Sequence, residues 1–136
     1  MKAVDTNVLA RFFVDDPDDG QARLQRKKAI EIMSGSVFVA ITVMLEFEWL
    51  LRGFYDLTAV DNVKIFNALC SLDNVSIENR EAVLQALDCH AAGMDFADAL
   101  HLQLGSGRCG SFVTFDKKLA NRARKMKASP TIEWVR

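Results

Sequence analysis

Proline is scarce in this chain: Pro17 and Pro130 are the two in 136 residues. Glycine is scarce too, with seven and no Gly/Ser-rich stretch, low-complexity tract or internal repeat. Nothing marks a linker, so the length predicts one compact domain over residues 1–136. Cysteine is present three times, at Cys70, Cys89 and Cys109, widely separated and without a Cys-x-x-Cys pair. That excludes a disulfide framework and a zinc finger. Charge of one sign is missing as well. Seventeen Lys and Arg face eighteen Asp and Glu, for a net charge of −1, so any polyanionic partner must be met by a local patch. Long apolar runs are absent. The longest uncharged stretch, Ile32 to Leu45, has 14 residues and includes Ser34, Gly35, Ser36 and Thr42, whereas a membrane span needs about 18–20. Asp5 interrupts any signal-peptide core. The expectation is a soluble protein of the reducing cytoplasm, with no membrane partner.

What is there alternates between short apolar runs and longer helix-period stretches, which predicts the α/β class with a parallel sheet. A strand is expected at Lys2–Asp5 and a helix over about Asn7–Val14, broken by Asp15-Asp16-Pro17-Asp18. A second helix follows over about Asp19–Met33, with Ala22, Ile30 and Met33 facing inward. Ser36–Ile41 is apolar and β-rich, and Thr42 is the candidate N-cap of a helix over Val43–Phe54. That helix is apolar nearly all round, which implies burial on two sides, or burial on one side and a subunit interface on the other. Then come a helix at Ala59–Ser71, a strand at Val75–Ile77, and helices at Arg80–Ala92 and Asp95–Leu104, closed by Gly105-Ser106-Gly107. A strand at Ser111–Phe115, a helix at Lys117–Lys127 and a strand at Thr131–Val135 complete the pattern.

In an open parallel sheet, ligands bind beyond the carboxyl ends of the strands. Asp5 closes the first predicted strand and Asp116 follows Ser111–Phe115, while Glu46 lies early in the helix after Ile41. Asp98 lies one turn after Asp95, on the helix leading into the Ser111–Phe115 strand. Acids from four segments can therefore meet at one edge. Two carboxylates about 4 Å apart repel by about 4 kcal/mol at an effective dielectric of 20. A hard divalent cation offsets that repulsion and suits attack of water on a phosphodiester. Each acid also has a plainer reading. Asp95 is a natural N-cap, and capping outranks metal binding there. Asp116 could cap the helix after it, and Glu46 could be a solvated helix residue. Asp5 resists such a reading, because an acid ending a buried strand incurs desolvation. His101 reads as a packed histidine on an apolar helix, and no third nitrogen or sulfur ligand supports zinc. His90 and Cys89 are adjacent on a helix and point apart, so they form no catalytic pair.

Four segments resemble the motif blocks of PIN domains: Val4-Asp5-Thr6-Asn7-Val8-Leu9, Thr42-x-x-x-Glu46, Asp95-Phe96-Ala97-Asp98-Ala99-Leu100-His101, and Val113-Thr114-Phe115-Asp116-Lys117. In length, order and spacing the chain most resembles the VapC-type toxins of bacterial toxin–antitoxin pairs. The resemblance implies a three-layer α/β/α sandwich with a central parallel sheet, and an Mg²⁺-dependent ribonuclease site in which Mn²⁺ can substitute. By motif position the metal-binding and catalytic acids would be Asp5, Glu46, Asp98 and Asp116, with Asp95 as an additional acid. Thr6, Asn7 and Thr114 match polar positions that orient the acids or a water. The resemblance also implies a homodimer held inactive by a small VapB-type antitoxin.

The candidate for RNA contact is the stretch from Lys117 to Lys127. It carries six bases, Lys117, Lys118, Arg122, Arg124, Lys125 and Lys127, and no acid. Leu119, Ala123 and Met126 are spaced to form an apolar face behind them. Beginning beside Asp116, this helix could steer a phosphate backbone to the acids, or simply be a solvated charged face. Arg23, Arg26, Lys27 and Lys28 form a second basic cluster, read as solvated. Two other functions compete with the ribonuclease. A phosphatase-like hydrolase with Asp5 as nucleophile is disfavoured, because the second acid such enzymes need would fall at Asn7. A domain that keeps the fold but binds RNA or protein without cutting is opposed by the intact acids.

Overall fold

The computed structural model describes residues 1–127 and 130–136. The chain forms two compact units, Met1–Arg80 and Glu81–Arg136. The first unit contains β1 (Lys2–Ala3), α1 (Thr6–Phe13), α2 (Gly20–Met33), β2 (Val37–Val39), α3 (Ile41–Gly53), α4 (Ala59–Cys70) and β3 (Val75–Ile77). At its end begins α5 (Arg80–Ala91), and the second unit continues with α6 (Phe96–Gly105), β4 (Ser111–Thr114), α7 (Lys117–Lys125) and β5 (Thr131–Trp134). All strand pairs are parallel, as the α/β pattern predicts. In the first unit the order is β1-β2-β3, and β4 pairs with β5 in the second. Val37 stands opposite both Lys2 and Val75, and Ser111 stands opposite Thr131.

β2 is the middle strand, and its Val37 and Val39 are fully buried. Around them the first unit buries Leu9 of α1, Met44, Phe47 and Leu51 of α3, and Phe66 and Leu69 of α4. Phe47 stacks on Phe66, with centroids 5.5 Å apart and planes within 8°, and Phe13 joins them at 6.1 Å. Each fully buried aromatic of this kind contributes about 1.5–3 kcal/mol. In the second unit α7 packs on both strands, burying Leu119, Ala120 and Ala123 together with Ile132 of β5.

Several local expectations change. α2 turns Ala22, Ala29 and Met33 inward, while Ile30 is exposed. Ala29 continues the 3.6-residue spacing from Ala22, and Ile30 stands about 100° further round the helix. Thr42 is not the cap of α3, which starts at Ile41 after Ala40. The Ile41 N–H instead donates to the Glu78 carboxylate, 2.9 Å away, just beyond β3. α3 is not buried on two sides either: Trp49 is 55% and Phe54 73% exposed. Its unexpected buried member is Glu48, whose carboxylate pairs with Arg52 one turn on, at 3.1 Å. α7 ends at Lys125, with Met126 as its C-cap, and Lys127 adopts φ 52°, outside the helix. Cys70, Cys89 and Cys109 are all free thiols.

The Glu78 contact generates a test. Removing the carboxylate leaves the first turn of α3 without this acceptor, so Glu78→Ala should lower stability by about 0.5–2 kcal/mol. Urea unfolding checks this, with the slope unchanged. A midpoint equal to wild type would mean that water replaces Glu78 without cost.

Candidate active site

In the first unit the predicted acids gather around the start of α1. Asp5 is the N-cap of that helix, and its carboxylate accepts from the Val8 N–H at 3.3 Å. It is exposed, and β1 beside it is exposed at both residues. The desolvation argument for Asp5 therefore falls, because the strand it ends is a short surface strand. The next residue, Thr6, is buried, and its hydroxyl donates to Oε1 of Glu46 on α3. One residue of α1 thus ties the chain beside Asp5 to the second predicted acid, forty positions away. Glu46 and Asn7 are exposed. A cavity of about 350 Å³ lined by Lys2, Ala3, Val4, Asp5, Val8 and Ile32 opens at Asp5.

In the second unit two of the other acids act on Asp98. Asp95 is the N-cap of α6 and accepts from the Asp98 N–H at 3.2 Å, so the capping role expected of it is present. Partial burial raises the Asp98 pKa, the charges of Asp95 and Asp116 raise it further, and His101 pulls it back down. The plainer reading of Asp116 also holds, since it caps α7 through the Leu119 N–H at 3.1 Å. Its own N–H donates to Oγ1 of Thr114 at 2.9 Å, which is how Thr114 supports it. His101 is not the packed histidine expected from its apolar neighbours. It is exposed, while Leu100 and Leu102 are buried, because its position on α6 falls on the solvent side.

The turn that delivers Asp95 has its own supports. Gly93 adopts φ +109°, and the Arg122 guanidinium approaches it so closely that a Cβ would lie 3.0 Å from it. The positive φ favours glycine there, and a Cβ would ask the flexible end of Arg122 to give way. The buried His90 is bonded through Nδ1 to the Met94 carbonyl at 2.8 Å, and its ring meets Phe96 edge-on. Nothing local in the sequence marks the His90 contact with Met94 or the approach of Arg122 to Gly93. The Gly93 that follows a helical run is the sequence signal that marks the turn.

The donor chemistry suits a hard divalent cation: carboxylate oxygens throughout, and an Asp98 whose charge is resisted by two neighbouring acids. The side chains are not drawn together as a finished cage. Among the described residues, no three His, Cys, Asp or Glu are grouped tightly enough to hold a metal ion. RNA-contact candidates Lys117, Lys118, Arg122, Arg124 and Lys125 are exposed along α7, which starts at Asp116. Arg23, Lys27 and Lys28 of the second basic cluster are exposed on α2, as expected of a solvated face.

Residues 2–125 match the PIN domain family, and the chain belongs to it. Its α/β architecture of parallel strands and helices is that of the three-layer α/β/α PIN fold, and PIN domains are generally nucleases that depend on divalent metal ions. No curated protein and no solved structure matches the chain.

Asp98 gives a test in metal-free protein. Its folded pKa is raised above the unfolded value, so the native state holds the proton more tightly and stability falls as pH rises through that window. Asp98→Asn removes this loss together with the repulsion from Asp95 and Asp116. In chelator, thermal melts should show Asp98→Asn more stable than wild type at neutral pH, with the advantage shrinking as pH falls below the carboxylate range. A variant less stable than wild type at neutral pH would contradict the coupling.

Proposed function

We propose that this PIN-domain protein is an Mg²⁺-dependent endoribonuclease that hydrolyses RNA phosphodiester bonds, and that it is the toxin of a VapBC-type toxin–antitoxin pair. The observation that carries the reading is Asp98, partly buried and facing the charges of Asp95 and Asp116, beside a helix of bases. Acids held against one another are stable when a cation neutralises them, and a cation among acids next to bound phosphate is the requirement of phosphodiester hydrolysis.

Asp5 and Asp116 would anchor the metal, Mg²⁺ or Mn²⁺, with Glu46 and Asp98 completing its shell and Asp95 as a possible addition. When bound, such an ion activates water and neutralises charge on the phosphate. The chain's own residues supply the rest. Thr6 fixes the Glu46 carboxylate through its hydroxyl, and Asn7 lies next to it in the same turn of α1. Thr114 fixes the Asp116 backbone. Glu46 and Asp98 orient the attacking water, and cleavage at the phosphorus leaves a 5′-phosphate. Lys117, Lys118, Arg122, Arg124 and Lys125 hold the backbone of the RNA by charge.

The partners follow from the same reading: an RNA substrate, a VapB-type antitoxin and a second copy of the chain. Exposed Trp49 and Phe54 on α3 support the dimer, since a one-sided helix with large apolar residues left outside is what a subunit interface requires. The reading places the protein in the cytoplasm; among the described residues no helix is long and apolar enough to cross a membrane.

Purified protein incubated with total tRNA and ribosomal RNA tests the activity. Discrete fragments should form with Mg²⁺ or Mn²⁺ and disappear in chelator. Asp98→Asn and Asp116→Asn should each slow cleavage by at least about a hundredfold, the usual cost of removing one charge-stabilising group. Fragments that persist in chelator and in both variants would overturn the site. Tight RNA binding, equal in wild type and Asp5→Asn and with no cleavage by either, would replace the ribonuclease with a binding domain.

A further inference from the structure

Phe115 stands between Thr114 and Asp116, and its ring is 76% exposed. Val113 of β4 is 56% exposed, and Phe115 lies just past the end of that strand. On the other face Phe112 is half-buried, and its ladder partner Ile132 is buried. β4 therefore buries one face and leaves apolar groups in water on the other, at the end that carries a proposed catalytic acid.

The surroundings of Phe115 are rigid and cationic. The Trp134 Nε1–H donates to the Phe115 carbonyl at 3.1 Å, which holds its backbone. Lys117 Nζ and the Arg136 guanidinium carbon lie 5.4 and 5.2 Å from the centre of the same Trp134 ring. Cations over an aromatic face are held in place without being neutralised. An outward apolar ring, tied through its carbonyl to a Trp134 that carries two cations over its face and followed by the bases of α7, matches a polyanion that also offers flat apolar faces. RNA with unpaired bases is such a molecule, whereas a duplex hides those faces in its stack.

We propose that Phe115 is a stacking platform for an unpaired RNA base beside the phosphodiester at Asp116, with Lys117 and Arg136 on the flanking phosphates. The substrate then has to present a single-stranded or extrahelical nucleotide. The inference rests on the ribonuclease reading of Asp116, but its test does not need cleavage.

Fluorescence anisotropy in chelator measures binding of a short labelled single-stranded RNA, and of the same sequence as a duplex. Stacking on one aromatic ring is strong enough that Phe115→Ala should weaken single-strand binding by about tenfold, with Phe115→Tyr within about twofold of wild type. Duplex binding should be unchanged in both, as should the urea midpoint, because the ring is outside the core. Single-strand binding by Phe115→Ala equal to wild type would overturn the platform. So would an equal loss for duplex, or a loss in Phe115→Tyr as large as in Phe115→Ala. If the platform behaves as expected and wild type never cuts RNA with metal, the ribonuclease reading fails while the platform stands. Cleavage indifferent to Phe115 would leave the opposite result.

Discussion

Carboxylates held near one another must be held by something, and here helix N-termini do it. Asp95 and Asp116, whose charges act on Asp98, each begin a helix and each accept a backbone N–H of its first turn; Asp5 caps α1 of the first unit in the same way. A cap of this kind is worth about 1 kcal/mol, and the partial positive charge at a helix start adds about 0.3–1 kcal/mol for an anion. Caps do not remove the repulsion between the acids, and it acts on Asp98, which sits inside the first turn of α6 and has its pKa raised by partial burial and then by the charges of Asp95 and Asp116.

Capping and metal binding therefore do not compete for these acids. A carboxylate has two oxygens, and a cap engages one of them while fixing the direction of the other. Helix starts set each acid's position through the backbone, which side-chain packing on a surface could not do. Thr6 and Thr114 add to this from opposite chemical sides: one hydroxyl donates to Glu46, the other accepts from the Asp116 N–H.

The parallel-stranded class and most elements were legible because period and punctuation are local. β3 falls on Val75–Ile77 as expected, and Asp95 opens α6 as a cap. What was not legible depends on partners distant in sequence. Glu78 supports the start of α3 from beyond β3, so Thr42 looked like the cap when it was not. His101 looked packed because its neighbours are apolar, yet the side of the helix, not the neighbourhood, decides exposure. Buried Glu48 was hidden likewise: it lies within an otherwise apolar run, and the side of α3 that faces the core decides its burial, with Arg52 one turn on as its partner. The charges of Asp95 and Asp116 acting on Asp98 belong to the folded second unit and leave no local mark in the sequence. Phe115 was quoted within a motif without being singled out, since no local pattern tells an outward phenylalanine from a core one.

A net charge of −1 conceals a sharp local asymmetry, and the asymmetry matters more than the sum. At the junction of β4 and α7 an acid stands directly before a helix that carries only bases among its charged residues. The bases draw phosphate in, while Asp116 by itself would repel it. These opposing demands agree when a cation sits among the acids, since it reverses the local sign for the phosphate and relieves Asp98 at once. The exposed Phe115 fits the same geometry. In the proposed reading, charge would bring any nucleic acid to this edge, and only an apolar surface would favour the strand whose bases are out of the stack.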